Sequence, residues 1–317
     1  MFNRRFIRIK VFQTIYAFMV GTYDDLYSTE KDLKYTFDRI YDLYHFLMLL
    51  IIELANHFKK RYDNYQNFHI KKPNDIANKH IKLYNNLVIN QLRNNPYLNS
   101  FLQKRKFTWQ KNPELINVLF NKIVKLNEYK EYTKNIENNF NEDKDFLLFI
   151  IEAVLYRNDN FIFAVEEDSF YYTDNTEFAL FSVALTIEKF KQQEYHKNRL
   201  FEKFKNQSDE EFAITLLNKT LINLNKNTEI ITKNIVNKEY EIISLIDKII
   251  LLMAIAEIEE FKEIPVKVSM NEYIDLAKEY GIPNKSFAFI NGLLDKIVQY
   301  MKNENLINKT GRGLIEK

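Results

Sequence analysis

Cysteine is absent from the 317 residues, which excludes disulfides and thiolate metal sites. Glycine and proline number five each. So few chain breakers predict long helices and few tight turns. They also leave no phosphate-cradling glycine loop and no G-x-S-x-G elbow. The five histidines His45, His57, His69, His80 and His196 are scattered, and none forms an H-E-x-x-H pair. No catalytic residue, metal site or cofactor is therefore expected, and the chain does not read as an enzyme. A charge excess of one sign is also missing. The net charge is +2, so any nucleic-acid contact must come from a local patch. No apolar run is long enough to cross a membrane. The longest, Phe46–Ile52, is too short for a bilayer, and Arg8 and Lys10 interrupt the opening stretch where a secretory h-region would lie. A cytoplasmic setting is compatible with all of this.

What is present is apolar and helical in period. Hydrophobic residues make up 46% of the chain, enough for a substantial core. The abundance of Asn, Lys and Ile reads as genome-level bias and not as disorder. A first helix is expected over Asn3–Met19, with Val11, Phe12, Ile15 and Met19 as its core stripe. Extended backwards, that stripe runs through Arg8 to Arg4, with Arg5 alongside. Cations in a first helical turn oppose the helix dipole. A nearby phosphate would suit the planar guanidinium fork, and so would an Asp or Glu on another helix. A second helix is expected over Thr29–Lys60. Its heptad seam is Leu33, Phe37, Ile40, Tyr44, Leu47, Ile51, Leu54 and Phe58.

In the stretch from Arg61 to Gln207 the opening, Arg61–Pro113, holds Pro73, Pro96 and Pro113, and short helices and exposed turns are expected there. The basic run Lys104–Lys111 contains Trp109 and Phe107, and it reads either as an RNA contact or as a solvated face around a buried Trp. Asp143–Ile151 resembles Asp209–Leu217, which is compatible with a duplicated helical unit.

Near the C-terminus, Ser269-Met-Asn-Glu272 has capping-box spacing and predicts a helix start. Met270, Tyr273, Ile274, Ala277 and Tyr280 share its face. Gly281 is expected as a left-handed stop. A further helix begins near Ser286, with Phe287, Ile290, Leu293, Leu294, Ile297, Val298 and Met301 facing the core. At about 100° per residue Phe289 falls outside that arc, nearly in line with Lys285 and Lys296. An exposed aromatic between two lysines is a platform for a stacked base beside a phosphate; a Phe packed under a neighbouring helix is the plainer alternative.

The stretch Pro265-Val-Lys-Val268, Asn271-Glu272, Leu276-Ala-Lys278 and Phe289-Ile-Asn-Gly-Leu-Leu-Asp-Lys296 resembles the NusB family almost residue for residue. Asp247, Ile250, Leu251 and Ala254-Ile-Ala-Glu257 resemble the family helix that precedes it. The arginine-rich start with Val11, Gln13 and Tyr16 is similar to the family's opening signature, with Phe12 as an extra residue. The resemblance implies an all-α fold of two NusB-like helical subdomains, interrupted by a helical insertion. The expected divisions are 1–60, 61–207 and 208–317. It also implies an antitermination factor that binds boxA-type single-stranded RNA with NusE, a small ribosomal subunit protein, in complexes on RNA polymerase that transcribe ribosomal RNA. On that reading Arg4, Arg5 and Arg8 meet phosphates. Lys285, Phe289, Asn291 and Lys296 meet the bases and the backbone near them. Asp247 faces the protein partner. For one RNA to touch both ends of the chain, the first and last long helices must lie close together. A protein-binding scaffold without RNA, or an accessory role in RNA modification, are the alternatives. An RNA cytosine methyltransferase would need a glycine-rich cofactor loop and a catalytic cysteine, and both are absent.

Overall fold

A computed structural model describes residues 1–23, 25–67, 76–195, 197–235 and 242–315. The described residues form helices and no strand ladder; the one β contact is an isolated bridge between Phe2 and Phe204. In chain order the α-helices are α1 (Arg4–Met19), α2 (Leu26–Gln66), α3 (Ile76–Tyr84), α4 (Leu87–Arg93), α5 (Pro96–Arg105), α6 (Pro113–Lys125), α7 (Asn127–Tyr132) and α8 (Phe140–Ile150). Then come α9 (Asp159–Glu166), α10 (Thr176–Glu188), α11 (Gln207–Ile222), α12 (Leu224–Asn234), α13 (Leu245–Glu260), α14 (Val266–Tyr280) and α15 (Ser286–Asn303). A π-helical turn, Ile151–Tyr156, continues α8.

The chain divides into two compact units. Unit 1 is Met1–Thr36 with Phe204–Lys317, and unit 2 is Phe37–Lys203. These divisions stand beside the expected ones at 60 and 207. The early one falls inside α2, so most of the heptad seam is counted with unit 2.

Asparagine does structural work in both units. Its short side-chain oxygen accepts from the unpaired N–H groups of a first helical turn. Asn3, Asn86, Asn95, Asn139, Asn158 and Asn206 cap α1, α4, α5, α8, α9 and α11 in this way. Asn86 and Asn95 are fully buried and each takes two N–H donors. In α5 the cap is followed by Pro96, which needs no N–H partner at that position. Every residue of the expected α2 seam is buried, because a strict alternation of three and four keeps one stripe on one side of a helix.

In unit 2 Trp109 is buried. It stacks on Phe46 and donates its indole N–H to the Phe46 carbonyl at 2.9 Å, so it is a core residue and not an RNA contact. Asp143 is the fourth residue of α8 and Asp209 the third of α11, and Phe146 and Phe212 are buried three residues further on.

Candidate nucleic-acid interface

Asn3 accepts from the Phe6 amide and starts α1, so that Ile7, Val11, Phe12 and Ile15 face the core. Arg8 lies on the same line and is 3% exposed. Its partner is Glu257, set inside the apolar run of α13. Oε2 accepts from Arg8 Nε at 2.7 Å and from Tyr273 OH at 2.9 Å. Oε1 accepts from Arg8 Nη2 at 2.7 Å and from Ser269 Oγ at 2.7 Å. Glu272 adds a second carboxylate 3.4 Å from Nη1. Burial alone would lower the Arg8 pKa. The hydrogen bonds and charge of Glu257 outweigh it, and the net direction is up. Burial also raises the Tyr273 hydroxyl well above its ordinary value, with the Glu257 charge adding to it.

The expectation of Arg8 as a phosphate contact is therefore corrected. Its guanidinium is enclosed and committed to Glu257. Arg4 donates Nε to Asp209 at 3.0 Å and stacks over the Phe212 ring at 5.0 Å. Arg5 is half exposed and reaches Asp275 and Glu279 at 3.4 Å each. All three arginines thus meet acids of other helices. Only the Arg5 contacts are long and solvent-facing, the kind of pair worth little in water.

Arg4, Arg5 and Arg8 nevertheless line one cavity of about 650 Å³, together with Lys267, Arg312 and two glutamates, Glu263 and Glu272. Lys267, and Arg312 on the C-terminal tail, were not among the expected site residues. That tail is anchored. Lys309 Nζ donates to the Phe261 carbonyl at 3.0 Å, and the Thr310 amide donates to the Lys262 carbonyl at 3.0 Å. Gly313 sits so close that an added Cβ would be 2.0 Å from the Lys262 oxygen, so the tail needs glycine there. Burial lowers the Lys309 pKa to about 8, with the charge of Glu257 opposing.

Helix α14 begins at Val266, behind Pro265, and not at Ser269. Ser269 and Glu272 are interior to the helix, and both serve the Arg8 network instead of a cap. The buried face is Ser269, Tyr273, Leu276 and Ala277, rotated from the expected one. Gly281 is extended (φ −81°, ψ −176°), and the left-handed residue is Asn284 at φ 60°. Glycine is required at 281 for room: a Cβ would lie 2.4 Å from Ser286 Cβ and 2.5 Å from the Ala277 oxygen.

Ser286 Oγ accepts from the Ile282 amide at 2.8 Å and donates to Asp247 Oδ2 at 3.0 Å. Asp247 is 5% exposed, so it is no open interface residue as expected; it ties α15 to the first turn of α13. Its Oδ1 has no hydrogen-bond partner. Asp247, Lys285 and Phe289 line a cavity of about 300 Å³. Phe289 is 40% exposed, and Lys285, Asn291 and Lys296 are exposed on the same helix. Neither lysine forms an ion pair among the described residues. Phe287, expected in the core, is as exposed as Phe289, while Ile290, Leu293, Leu294, Ile297, Val298 and Met301 are buried.

The two groups are joined through α13. Helix α1 packs mainly on α11 and α13, and α15 mainly on α12, α13 and α14. The expected closeness of the first and last long helices is thus not a broad direct contact. Their anchors on α13, Glu257 and Asp247, are separated by about 15 Å at 1.5 Å per residue.

Among the described residues no helix is long and apolar enough to cross a membrane, and no cluster of His, Asp and Glu could hold a metal ion. No solved structure matches the chain. The sequence model described as "NusB family" matches residues 177–299. The transcription antitermination protein NusB of Salinibacter ruber is 42% identical over 108 residues, 34% of this chain and 67% of that protein. The protein of the same name from Chloroherpeton thalassium is 35% identical over 106 residues, 33% of this chain and half of that protein. That from Natranaerobius thermophilus is 35% identical over 96 residues, 30% of this chain and 68% of that protein. Unit 1's C-terminal helices carry this likeness, most of unit 2 lies outside it, and the chain belongs to the NusB family.

Proposed function

We propose that the chain is a transcription antitermination factor that binds a boxA-type single-stranded RNA together with NusE, within a complex on RNA polymerase at ribosomal RNA operons. The observation that carries this reading is Phe289, an aromatic ring exposed on α15 between two lysines that make no ion pair among the described residues. A base stacks on the ring, and Lys285, Lys296 and Asn291 meet the phosphates and base edges beside it. Arg5, whose ion pairs are long and solvent-facing, exchanges them for phosphate, with Arg4, Lys267 and Arg312 on the same cavity. Arg8 orders the α1–α13 contact from behind. The role is binding, without catalysis.

The names of the relatives support the antitermination role, and the residues above support the RNA. The experiment is titration of a boxA-like oligonucleotide, with and without NusE, across a salt series. Arg5→Ala should reduce the salt slope by about 0.7, the value for one single-strand phosphate contact. A second reading, a protein-binding scaffold without RNA, draws on the acidic partners of all three arginines. RNA affinity that is absent with and without NusE would favour it and sink the first.

A further inference from the structure

Unit 2 carries a groove that the antitermination reading does not use. It lies between one face of α5 and the segment 199–202, with α2 as its floor, and has a volume of about 780 Å³. That is within the range of small-molecule pockets. Tyr41, His45 and Phe101 form the floor, and Tyr97, Lys104 and Arg199 the rim.

His45 is the distinctive group. It is 2% exposed and stacks on Phe101 at 3.7 Å, with the two rings 13° from parallel. Its Nδ1 lies 2.8 Å from the Tyr41 carbonyl, which can only accept, so Nδ1 carries the proton. Burial holds its pKa down at about 4, so the ring is neutral near pH 7. Nε2 is then a bare acceptor. It has no partner among the described residues and is not among the sealed unpaired atoms, so it opens to the groove. The neighbouring wall is fixed, because Tyr41 OH donates to the Phe201 carbonyl at 2.9 Å and the Phe201 amide donates to Tyr44 OH at 3.1 Å. Around this acceptor stand flat rings, with Tyr97 61% exposed at the rim. Lys104 and Arg199 are exposed and form no ion pair among the described residues.

We propose that this groove binds a nucleobase with its phosphate: the base stacks on the exposed Tyr97 ring beside Tyr41, one of its N–H groups donates to His45 Nε2, and Lys104 and Arg199 take the phosphate. A flat heterocycle with a donor edge fills both the ring faces and the recessed acceptor; an acidic peptide satisfies the cations alone. The ligand comes either from single-stranded RNA or from a free nucleotide.

The test uses the full-length chain in a Phe289→Ala background, so that the unit 1 surface contributes least. Calorimetry with AMP and anisotropy with a labelled adenosine hexamer separate the sources: saturable AMP binding indicates a free nucleotide, and binding of the hexamer alone indicates an RNA strand. Tyr97→Ala should weaken the bound form by roughly five-fold or more. The double charge reversal Lys104→Glu with Arg199→Glu should weaken it about ten-fold or more. Ser100→Trp, at the exposed rim, should block the groove, and His45→Phe should keep the stack but lose the acceptor. Far-ultraviolet circular dichroism and a thermal melt report whether each variant stays folded. The proposal is overturned if neither probe binds, or if binding in the folded Tyr97, Ser100 and charge-reversal variants equals that of the parent.

Discussion

Both units bury an acid completely, Glu257 in unit 1 and Asp143 in unit 2, and they satisfy it with different kinds of partner. Glu257 faces an arginine, with a serine and a tyrosine filling the remaining lone pairs. Asp143 sits in a cage of neutral donors. Tyr132 OH donates to it at 2.6 Å, Asn138 Nδ2 to both oxygens at 3.0 Å, and the Leu87 amide at the start of α4 at 2.8 Å. Burial pushes the Asp143 pKa up, and those donors pull it back only in part. The contrast separates two ways of ordering helices. A buried ion pair acts as a unit, since either member alone is an uncompensated charge. A cage of dipoles loses its contributions one at a time.

The largest effect should come from breaking the ion pair. Glu257→Ala leaves Arg8 buried with only the 3.4 Å contact to Glu272, and should cost about 3–5 kcal/mol in denaturant unfolding. Replacing both partners, as in Arg8→Met with Glu257→Leu, should recover much of that loss. A single substitution costing under about 1 kcal/mol would show that the pair does not hold α1 to α13.

Unit 2 should be the acid-sensitive one. Burial holds His45 and His80 at about 4, whereas an unfolded histidine takes its proton near 6.5. Between those values the unfolded chain binds more protons, so stability falls with pH from about 6.5 down to about 4. The loss from the fully buried His45 should reach about 3 kcal/mol, with a smaller share from the half-buried His80, less whatever Asp143 returns by taking up its proton early. Trp109, the single tryptophan, lies in unit 2 and reports on it. A Trp109 melting temperature unchanged between pH 7 and 4.5 would mean that the imidazoles are not held neutral.

The cage should yield in smaller steps. Asp143→Ala removes the α4 contact and strands Tyr132, for about 2–3 kcal/mol. Asp143→Asn keeps an acceptor and should cost less than half of that. Equal losses from the two variants would mean that the cage depends on charge, as the ion pair does.

The difference between the units also marks what the sequence could convey. The α2 seam is fully buried as its spacing requires, because periodicity alone decides it. Arg8 on a core line and Glu257 inside an apolar run were each visible oddities. That they answer one another is a tertiary fact across 249 residues. The α14 start was misplaced because Ser269 and Glu272 have cap spacing yet spend their side chains on that pair. Lys267 and Arg312 join Arg5 only once the tail folds back on Lys262. Phe289, which depends on helical geometry alone, stands exposed as its angle required.

Phe289 also supplies the smallest expected stability change and the sharpest functional one. Its ring is 40% exposed on the same helix as Phe287, which is equally exposed but lines no part of the cavity with Asp247 and Lys285. Each ring is more than half covered, so Phe289→Ala and Phe287→Ala should each cost roughly 1 kcal/mol in unfolding, and both should stay folded. Their RNA affinities should part. Loss of a stacked base costs roughly 1–3 kcal/mol, so Phe289→Ala should weaken boxA binding at least several-fold, while Phe287→Ala should leave it near the parent value. The salt slope should hold in both, because a stacking contact releases no counterions, whereas Arg5→Ala lowers it. Equal affinities for the two phenylalanine variants, with both folded, would remove the ring from the RNA contact and leave the cavity lined by Arg4, Arg5, Lys267 and Arg312 as the surviving candidate.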